Sequence, residues 1–164
     1  MSSTRRGVLT LASLATLVGC DHVTKHVAKA ELETGAPRRI IGSLLDLRYV
    51  ENTDVAFNLF RWLPASVRDP MLLGLGAAGV LVLAVLVARQ RGTALTRAAL
   101  VMILAGALGN YLDRFFRGYV VDFIHVPHWP VFNVADMWVT VGAMALLLVS
   151  FAHRRNEAGP STAL

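Results

Sequence analysis

The 164-residue chain contains a single cysteine, Cys20, so it can form no internal disulfide. The chain is also poor in charge, because aspartate, glutamate, lysine and arginine together make up only 16% of its residues. Hydrophobic residues make up 55%. This balance excludes an ordinary soluble domain and is typical of a protein that crosses the membrane several times.

The net charge of +5 does not indicate a nucleic-acid partner. The basic residues form neither a helix face nor a patch interleaved with aromatic side chains, as a nucleic-acid interface would require. Membrane topology explains the excess of basic residues better.

Four long apolar segments are predicted to cross the membrane as helices. The segment Met71–Ala88 carries no charge and follows Pro70, a residue that suits the first turn of a helix. The predicted spans cover about residues 6–30, 70–88, 98–116 and 133–152 of a single domain, 1–155. The residues after it, 156–164, are predicted to form a disordered tail.

A small β-rich flap is predicted between the first two spans, over about residues 36–63. Leu45–Val50 alternates apolar and polar side chains, as a half-buried strand does, and Val55–Leu63 is a candidate second strand. The predicted fold class is therefore an all-α polytopic membrane protein with four transmembrane helices and a small strand-rich flap on the membrane surface.

The start of the chain can also be interpreted as a lipoprotein signal. A short basic segment precedes the apolar run Gly7–Cys20, and the cysteine ends a sequence similar to a lipobox. Cleavage there would leave a soluble mature domain, yet three further segments of membrane length follow. We therefore favour an uncleaved first helix.

The arginines indicate the orientation of the spans. Four spans place both termini on one side, and every span end on that side is basic and free of acidic residues, which favours the cytoplasm. This orientation puts the polar side chains of the spans towards the outer face. The flanking residues are Arg5, Arg6, Arg89, Arg91, Arg97, Arg154 and Arg155.

Asp122 and Asp136 are the strongest candidates for chemistry. They lie at the facing edges of two hydrophobic segments joined by a short loop that contains proline. Ionisable groups at membrane depth are costly to place, so they mark candidate functional sites. Two carboxyls that share one proton are the arrangement of a water-activating aspartic hydrolase.

The third span carries a polar face. Gly106, Asn110 and Asp113 follow one another at helical spacing, and Arg114 comes four residues after Asn110. The alternative is a helix-packing face with an internal Asp113–Arg114 ion pair. Asn133, just before the fourth span, is a natural helix N-cap, and capping alone could explain it.

Metal binding is a further alternative. His125 and His128 follow Asp122 at three-residue steps, and His22 and His26 are spaced by four on the first helix. Such spacings can bind a transition metal. Pro127 lies between the two loop histidines, however, and such spacings are loose patterns, so we predict no metal site and no cofactor.

Five short motifs stand in order along the chain between Asp21 and Phe151. Together with the four spans they resemble lipoprotein signal peptidase (signal peptidase II), a family of bacterial intramembrane aspartic peptidases. The motifs are Asp21-x-x-Thr24-Lys25, Asn52-Thr53-x-x-Ala56-Phe57, Gly106-Ala107-Leu108-Gly109-Asn110-x-x-Asp113-Arg114, Gly118-x-Val120-x-Asp122-Phe123 and Phe132-Asn133-x-Ala135-Asp136.

The resemblance implies four transmembrane helices with a small extracytoplasmic β-cradle. It also implies an endopeptidase that cleaves diacylglyceryl-modified prolipoproteins before the lipidated cysteine. It implies inhibition by globomycin-type compounds and a location in the bacterial inner membrane, where we expect a monomer with both termini cytoplasmic and the active site near the outer face. Asp122 and Asp136 match the catalytic pair. The positions that match supporting and substrate-contacting residues are Asp21, Asn52, Gly106, Asn110, Arg114 and Asn133.

Asp54 departs from the family pattern, which usually has glycine at this position. An additional carboxylate near the site could raise the pKa values of the aspartate pair. Three rival functions remain open at this point: a small transporter that uses the buried carboxylates and histidines, a metal-dependent membrane hydrolase, and an inactive homologue that binds lipoproteins without cutting them.

Overall fold

The computed structural model describes residues 3–54, 59–60 and 62–157. This part of the chain forms four long helices and one three-stranded antiparallel sheet, which confirms the predicted fold class. The elements in chain order are α1 (Ser3–Leu32), β1 (Arg38–Ile41), β2 (Leu45–Asn52), α2 (Ala65–Arg89), α3 (Ala94–Arg117), β3 (Val120–His125) and α4 (Val134–Glu157).

All four helices are long and apolar enough to cross a membrane, and each contains most or all of one predicted span. The fourth helix continues to Glu157, so it includes the first two residues of the predicted tail; residues 158–164 lie outside the described part of the chain. Many large apolar side chains on these helices are exposed, as expected for surfaces that face lipid.

The second helix begins earlier than predicted. It starts at Ala65 rather than at Pro70, because the Pro64 carbonyl accepts the N–H groups of Val67 and Arg68 and so closes a first turn. Pro70 therefore lies inside the helix, where its missing N–H removes one backbone hydrogen bond.

The central element of the bundle is α3, which packs against each of the other three helices. Thr93 caps its start by accepting the N–H of Thr96 at 3.1 Å. Gly118 ends it in the left-handed conformation with φ 80°, which glycine adopts without a steric penalty. The turn at Gly118 leads the chain directly into β3.

Two glycines allow α3 to approach its neighbours closely. A Cβ added at Gly106 would lie 2.2 Å from the carbonyl oxygen of Ala135 in α4. A Cβ added at Gly109 would lie 2.6 Å from the carboxylate of Asp21 in α1. Small residues at such crossings let membrane helices pack at short distance.

The sheet has the order β1-β2-β3 and brings Asp122 to the bundle. In the β2–β3 pair, Val50 faces Asp122 after an irregularity in the register. Because side chains alternate along a strand, Val121 and Phe123 pack against α1, whereas Asp122 faces a cavity on the other side.

The flap differs from its prediction in one respect. Residues 55–58 and 61 of the candidate strand Val55–Leu63 lie outside the described residues, and its other members form turns. The described partners of β2 are Arg38–Ile41 and Val120–His125. The sequence did not predict the latter strand, because the periodicity of a short apolar run does not distinguish a strand from a helical segment.

Gly106→Ala is expected to lower the free energy of unfolding by about 1–3 kcal/mol, the cost of overpacking a tight contact. The cause is the collision with the Ala135 carbonyl oxygen. The matched control is Gly79→Ala on α2, where an added Cβ meets nothing within 4 Å. Denaturant titration in detergent measures the free energy of unfolding of both variants. Equal values for the two variants would contradict the close contact between α3 and α4.

Candidate active site

A cavity of about 790 Å³ lies between the sheet and the helices α3 and α4. Five polar residues singled out from the sequence line this cavity, although they come from four separate elements. The five residues are Asn52, Asn110, Arg114, Asp122 and Asp136. The structure therefore places the two predicted catalytic aspartates at one site.

Asn133 joins the two aspartates. Its side-chain Nδ2 donates to Asp122 Oδ1 at 2.6 Å, and its backbone N–H donates to Asp136 Oδ2 at 3.1 Å. Its Oδ1 accepts the backbone N–H of Asp136 at 3.0 Å. The last two bonds form a reciprocal cap at the start of α4. Capping alone is thus too narrow an interpretation, since the same amide also holds Asp122.

Each aspartate accepts a second amide through its other oxygen. Asn52 Nδ2 donates to Asp122 Oδ2 at 2.8 Å, and Asn110 Nδ2 donates to Asp136 Oδ1 at 2.9 Å. Each carboxylate is therefore held by two N–H donors. A carboxylate offers about four acceptor positions, so each retains capacity for a water molecule or a substrate.

A fully buried lysine, Lys25, supports this arrangement from α1. Its Nζ lies 2.7 Å from Asp21 Oδ2, 2.8 Å from Asp113 Oδ2 and 2.9 Å from Asn110 Oδ1. An ammonium group has three N–H donors, and here three acceptors surround it. Lys25 stood in one of the quoted motifs, but sequence reasoning did not select it; its spacing of four from Asp21 on an apolar helix was the available signal.

The contact with Lys25 determines how the amide of Asn110 is oriented. The Oδ1 atom of Asn110 accepts from Lys25 and also from Asn133 Nδ2, the latter at 3.1 Å. Because its oxygen side faces these two donors, its NH₂ side faces Asp136. The orientation of this amide thus follows from a cation that does not itself line the cavity.

Asp21 and Asp113 hold the helices rather than line the cavity. Asp21 Oδ1 accepts the backbone N–H of Ala135 at 2.9 Å, so a carboxylate from α1 caps α4. Asp113 forms ion pairs with Lys25 and, at 2.8 Å, with Arg117. The Asp113–Arg114 pair considered from the sequence is wrong. The arginine that pairs with Asp113 is Arg117, which lies one turn after Asp113 on the same face of α3.

Arg114 instead contacts backbone carbonyls. Its Nη2 donates to the Asp54 carbonyl at 2.7 Å, and its Nη1 lies 3.4 Å from the Asn110 carbonyl. Gly106, the remaining predicted site residue, does not line the cavity and instead forms the α3–α4 contact. Both residues therefore support the site from outside the aspartate pair.

Asp54, the departure from the family pattern, is buried and does not line the cavity that holds the aspartate pair. Its carboxylate accepts the backbone N–H of Phe60 at 3.1 and 3.2 Å. Its own N–H donates to Asn52 Oδ1 at 3.0 Å, which leaves the NH₂ of Asn52 for Asp122. The residue thus organises the segment beside the site.

Burial raises the pKa of Asp122 to about 6, and the negative charge of Asp136 acts in the same direction. The amide bonds from Asn52 and Asn133 and the charge of Lys25 lower the pKa and limit the rise. Asp122 can therefore keep a proton in mildly acidic conditions in which an exposed aspartate has lost it.

The histidines considered as metal ligands have other contacts. His125 Nδ1 lies 3.0 Å from Asp46 Oδ1 on the neighbouring strand, and His22 Nδ1 lies 3.4 Å from Asp21 Oδ2. His128 lies in the loop after β3 with φ 65°. Among the residues that the structure describes, no group of three or more His, Cys, Asp or Glu is placed to hold a metal ion.

The amino-acid sequence is similar to a family of known proteins. Residues 13–152 match the family model described as signal peptidase (SPase) II. The chain is 36% identical over 152 residues to the lipoprotein signal peptidase of Rhodococcus jostii, covering 89% of this chain and 74% of that protein. It is 39% identical over 155 residues to the lipoprotein signal peptidase of Mycobacterium avium, covering 89% and 80%.

Two solved structures, both titled as bacterial membrane enzymes studied by the in meso method, share the fold. One, at 2.3 Å resolution, aligns with a TM-score of 0.81 and 22% identity over 95% of this chain and 94% of its own. The other, at 1.9 Å resolution, aligns with a TM-score of 0.75 and 24% identity over 86% and 91%. The family match over residues 13–152 and the identity of 36–39% to the two curated relatives show that the chain belongs to the signal peptidase II family.

Proposed function

We propose that this chain is an aspartic endopeptidase that removes signal peptides from diacylglyceryl-modified prolipoproteins by cleaving before the lipidated cysteine. Family membership supports the peptidase activity, and the names of the curated relatives support prolipoproteins as substrates. The aspartic mechanism rests on one observation: Asp122 and Asp136 line one buried cavity and are joined through Asn133.

In the proposed mechanism Asp136 carries the negative charge and Asp122 carries the proton. Asp136 lies in the first turn of α4, where the helix N-terminus favours an anion, and it accepts a backbone N–H. The raised pKa of Asp122 favours its protonated form. Paired carboxyls with environments that separate their pKa values are typical acid–base partners.

Hydrolysis then proceeds by general acid–base catalysis. Asp136 takes a proton from a water held between the two carboxyls, and the water oxygen attacks the scissile carbonyl carbon. Asp122 donates its proton to the developing oxyanion or to the leaving amine as the C–N bond breaks. No covalent intermediate and no cofactor take part in this scheme.

The role proposed for the remaining residues is positional. Asn52 and Asn133 orient Asp122, and Asn110 orients Asp136, because their amide donors are directed at these carboxylates. Arg114 donates to the Asp54 carbonyl, so we assign it to holding the segment at Asp54 beside the cavity.

The orientation in the membrane follows from where these groups lie in the bundle. Asp113 near the end of α3 and Asp136 at the start of α4 lie at one end, whereas Arg6 and Arg97 lie at the start of α1 and α3. The positive-inside rule assigns the arginine end to the cytoplasm and the aspartate pair to the outer face of the bacterial inner membrane.

A single chain supplies every residue of the site, so we propose that the monomer is active.

Asp122→Asn and Asp136→Asn are each expected to reduce cleavage by at least 10²–10⁴-fold, the range of general acid–base catalysis, while the variants stay folded in detergent. The assay follows the mobility of a diacylglyceryl-modified prolipoprotein on a gel. The matched control is Asp46→Asn, whose carboxylate contacts Arg48 and His125 away from the cavity and should leave cleavage intact.

A chelator included in the same assay tests the metal-dependent alternative. The aspartic mechanism predicts cleavage that is indifferent to the chelator, since it uses no metal. Turnover retained in either aspartate variant would exclude the mechanism, and a folded parent protein that never cuts would favour the transporter or the inactive homologue.

Asn52→Ala tests the assignment of the proton to Asp122. The parent enzyme should lose kcat/KM as the pH rises through about 6, because Asp122 then gives up the proton that it must donate. The Asn52 amide lowers the pKa of Asp122, so its removal should move this alkaline limb to higher pH. A limb that stays in place or moves to lower pH would contradict the assignment.

Lys25→Met is expected to destabilise the fold by about 3–5 kcal/mol, the cost of removing one partner of a buried ion pair. Cleavage should also fall at temperatures where the variant is still folded, because the Asn110 amide loses the donor that orients it. Lys29→Met is the control, since Lys29 lies one turn further along the same helix but has a side chain that is 40% exposed. Equal unfolding midpoints and cleavage rates in the two variants would contradict the role of Lys25.

A further inference from the structure

A second cavity, of about 800 Å³, lies between α1 and α3 at the opposite end of the bundle from the aspartate pair. Its walls are apolar, and small side chains such as Ala12 and Ala98 create the space. Two charged residues, Arg6 and Arg97, line it, and no acidic residue does. We call this cavity the arginine cleft.

The cleft lies towards the starts of α1 and α3, away from the close polar contact between these two helices. Near the aspartate pair, the carboxylate of Asp21 fills the space beside Gly109, and Lys25 reaches Asn110. Towards the starts of both helices, the cavity is lined by both large and small side chains, and the small ones, Ala12, Ser13, Ala94 and Ala98, leave the space open. Arg97 precedes Gly109 by twelve residues, or roughly 18 Å along a helix, so the cleft is separate from the active-site cavity.

We propose that the arginine cleft binds an anionic glycerophospholipid, with an acyl chain along the apolar walls and the phosphate at Arg6 and Arg97. Helices of a membrane protein meet hydrocarbon, so an apolar gap between them accepts a lipid chain. Basic pockets between membrane helices recognise anionic head groups. One N–H of Arg97 already donates to the Gln90 carbonyl, but a guanidinium has five donors and can bind phosphate as well.

Charge excludes the other obvious occupants. The start of a signal peptide is basic, so the two arginines would repel that part of a substrate. A zwitterionic lipid brings its own cation next to the arginines, which weakens the attraction. The diacylglyceryl group of a prolipoprotein carries no phosphate, so it cannot use the arginines at all. This inference does not depend on the proposed peptidase mechanism.

Native mass spectrometry of delipidated protein in detergent tests the proposal with two probes, phosphatidylglycerol and phosphatidylcholine of identical chains. Phosphatidylglycerol should be retained more tightly. Arg6→Gln and Arg97→Gln should each weaken that binding about fivefold, and the double variant about twenty-five-fold, the effect of one basic residue near an anionic lipid. Arg97→Lys, which keeps the charge, should bind nearly as the parent does.

Two further variants separate the cleft from the general surface. Ala98→Phe fills the cleft and should abolish tight retention, whereas Ala78→Phe, on an exposed position of α2 outside the cleft, should not. Arg39→Gln on β1 is the matched charge control. Equal retention of the two lipids, or phosphatidylglycerol binding unchanged in the arginine double variant, would overturn the proposal. Asp122→Asn should bind the lipid as the parent does. Failure of the peptidase mechanism can therefore be distinguished from failure of the lipid-binding proposal.

Discussion

The buried ammonium group of Lys25 is the contact on which the rest of the site depends. It lies between Asp21 and Asp113, so one ammonium group pairs with two carboxylates that are buried inside a membrane protein. Asp21 in turn caps α4 through the Ala135 N–H, so one cation links α1, α3 and α4. The third acceptor, Asn110, extends the same network to Asp136. Fold and site are therefore stabilised by one set of contacts rather than by two.

The electrostatic balance of this end of the bundle accommodates a shared proton. Five carboxylates lie close to three cations, so a proton on the aspartate pair brings the cluster nearer to neutrality, the state that a low-dielectric environment favours. Amide groups, which carry no net charge, donate the hydrogen bonds that the carboxylates of Asp122 and Asp136 accept within the described part of the chain. The carboxylates are Asp21, Asp54, Asp113, Asp122 and Asp136, and the cations are Lys25, Arg114 and Arg117.

Much of this organisation could be predicted from the sequence. The four apolar runs and the ordered motifs were enough for the spans, the fold class and the family, and burial of a carboxylate in an apolar run was enough to single out Asp122. Prediction failed where two structures share one local pattern. The run Val120–His125 lies outside the predicted spans and forms a strand that the sequence did not predict, and Pro70 was predicted to start a helix but lies within α2.

The sequence by itself determined that this is a four-span membrane protein of one family, because hydropathy and motif order are properties of the chain alone. Only the tertiary structure decided which polar groups meet. It placed Asp113 with Lys25 rather than with Arg114, joined the Asp54 carboxylate to the Phe60 N–H, and made Asn133 the link between Asp122 and Asp136. These choices depend on how helices and strands distant in sequence pack, and a buried polar group takes the partner that packing brings within hydrogen-bonding distance.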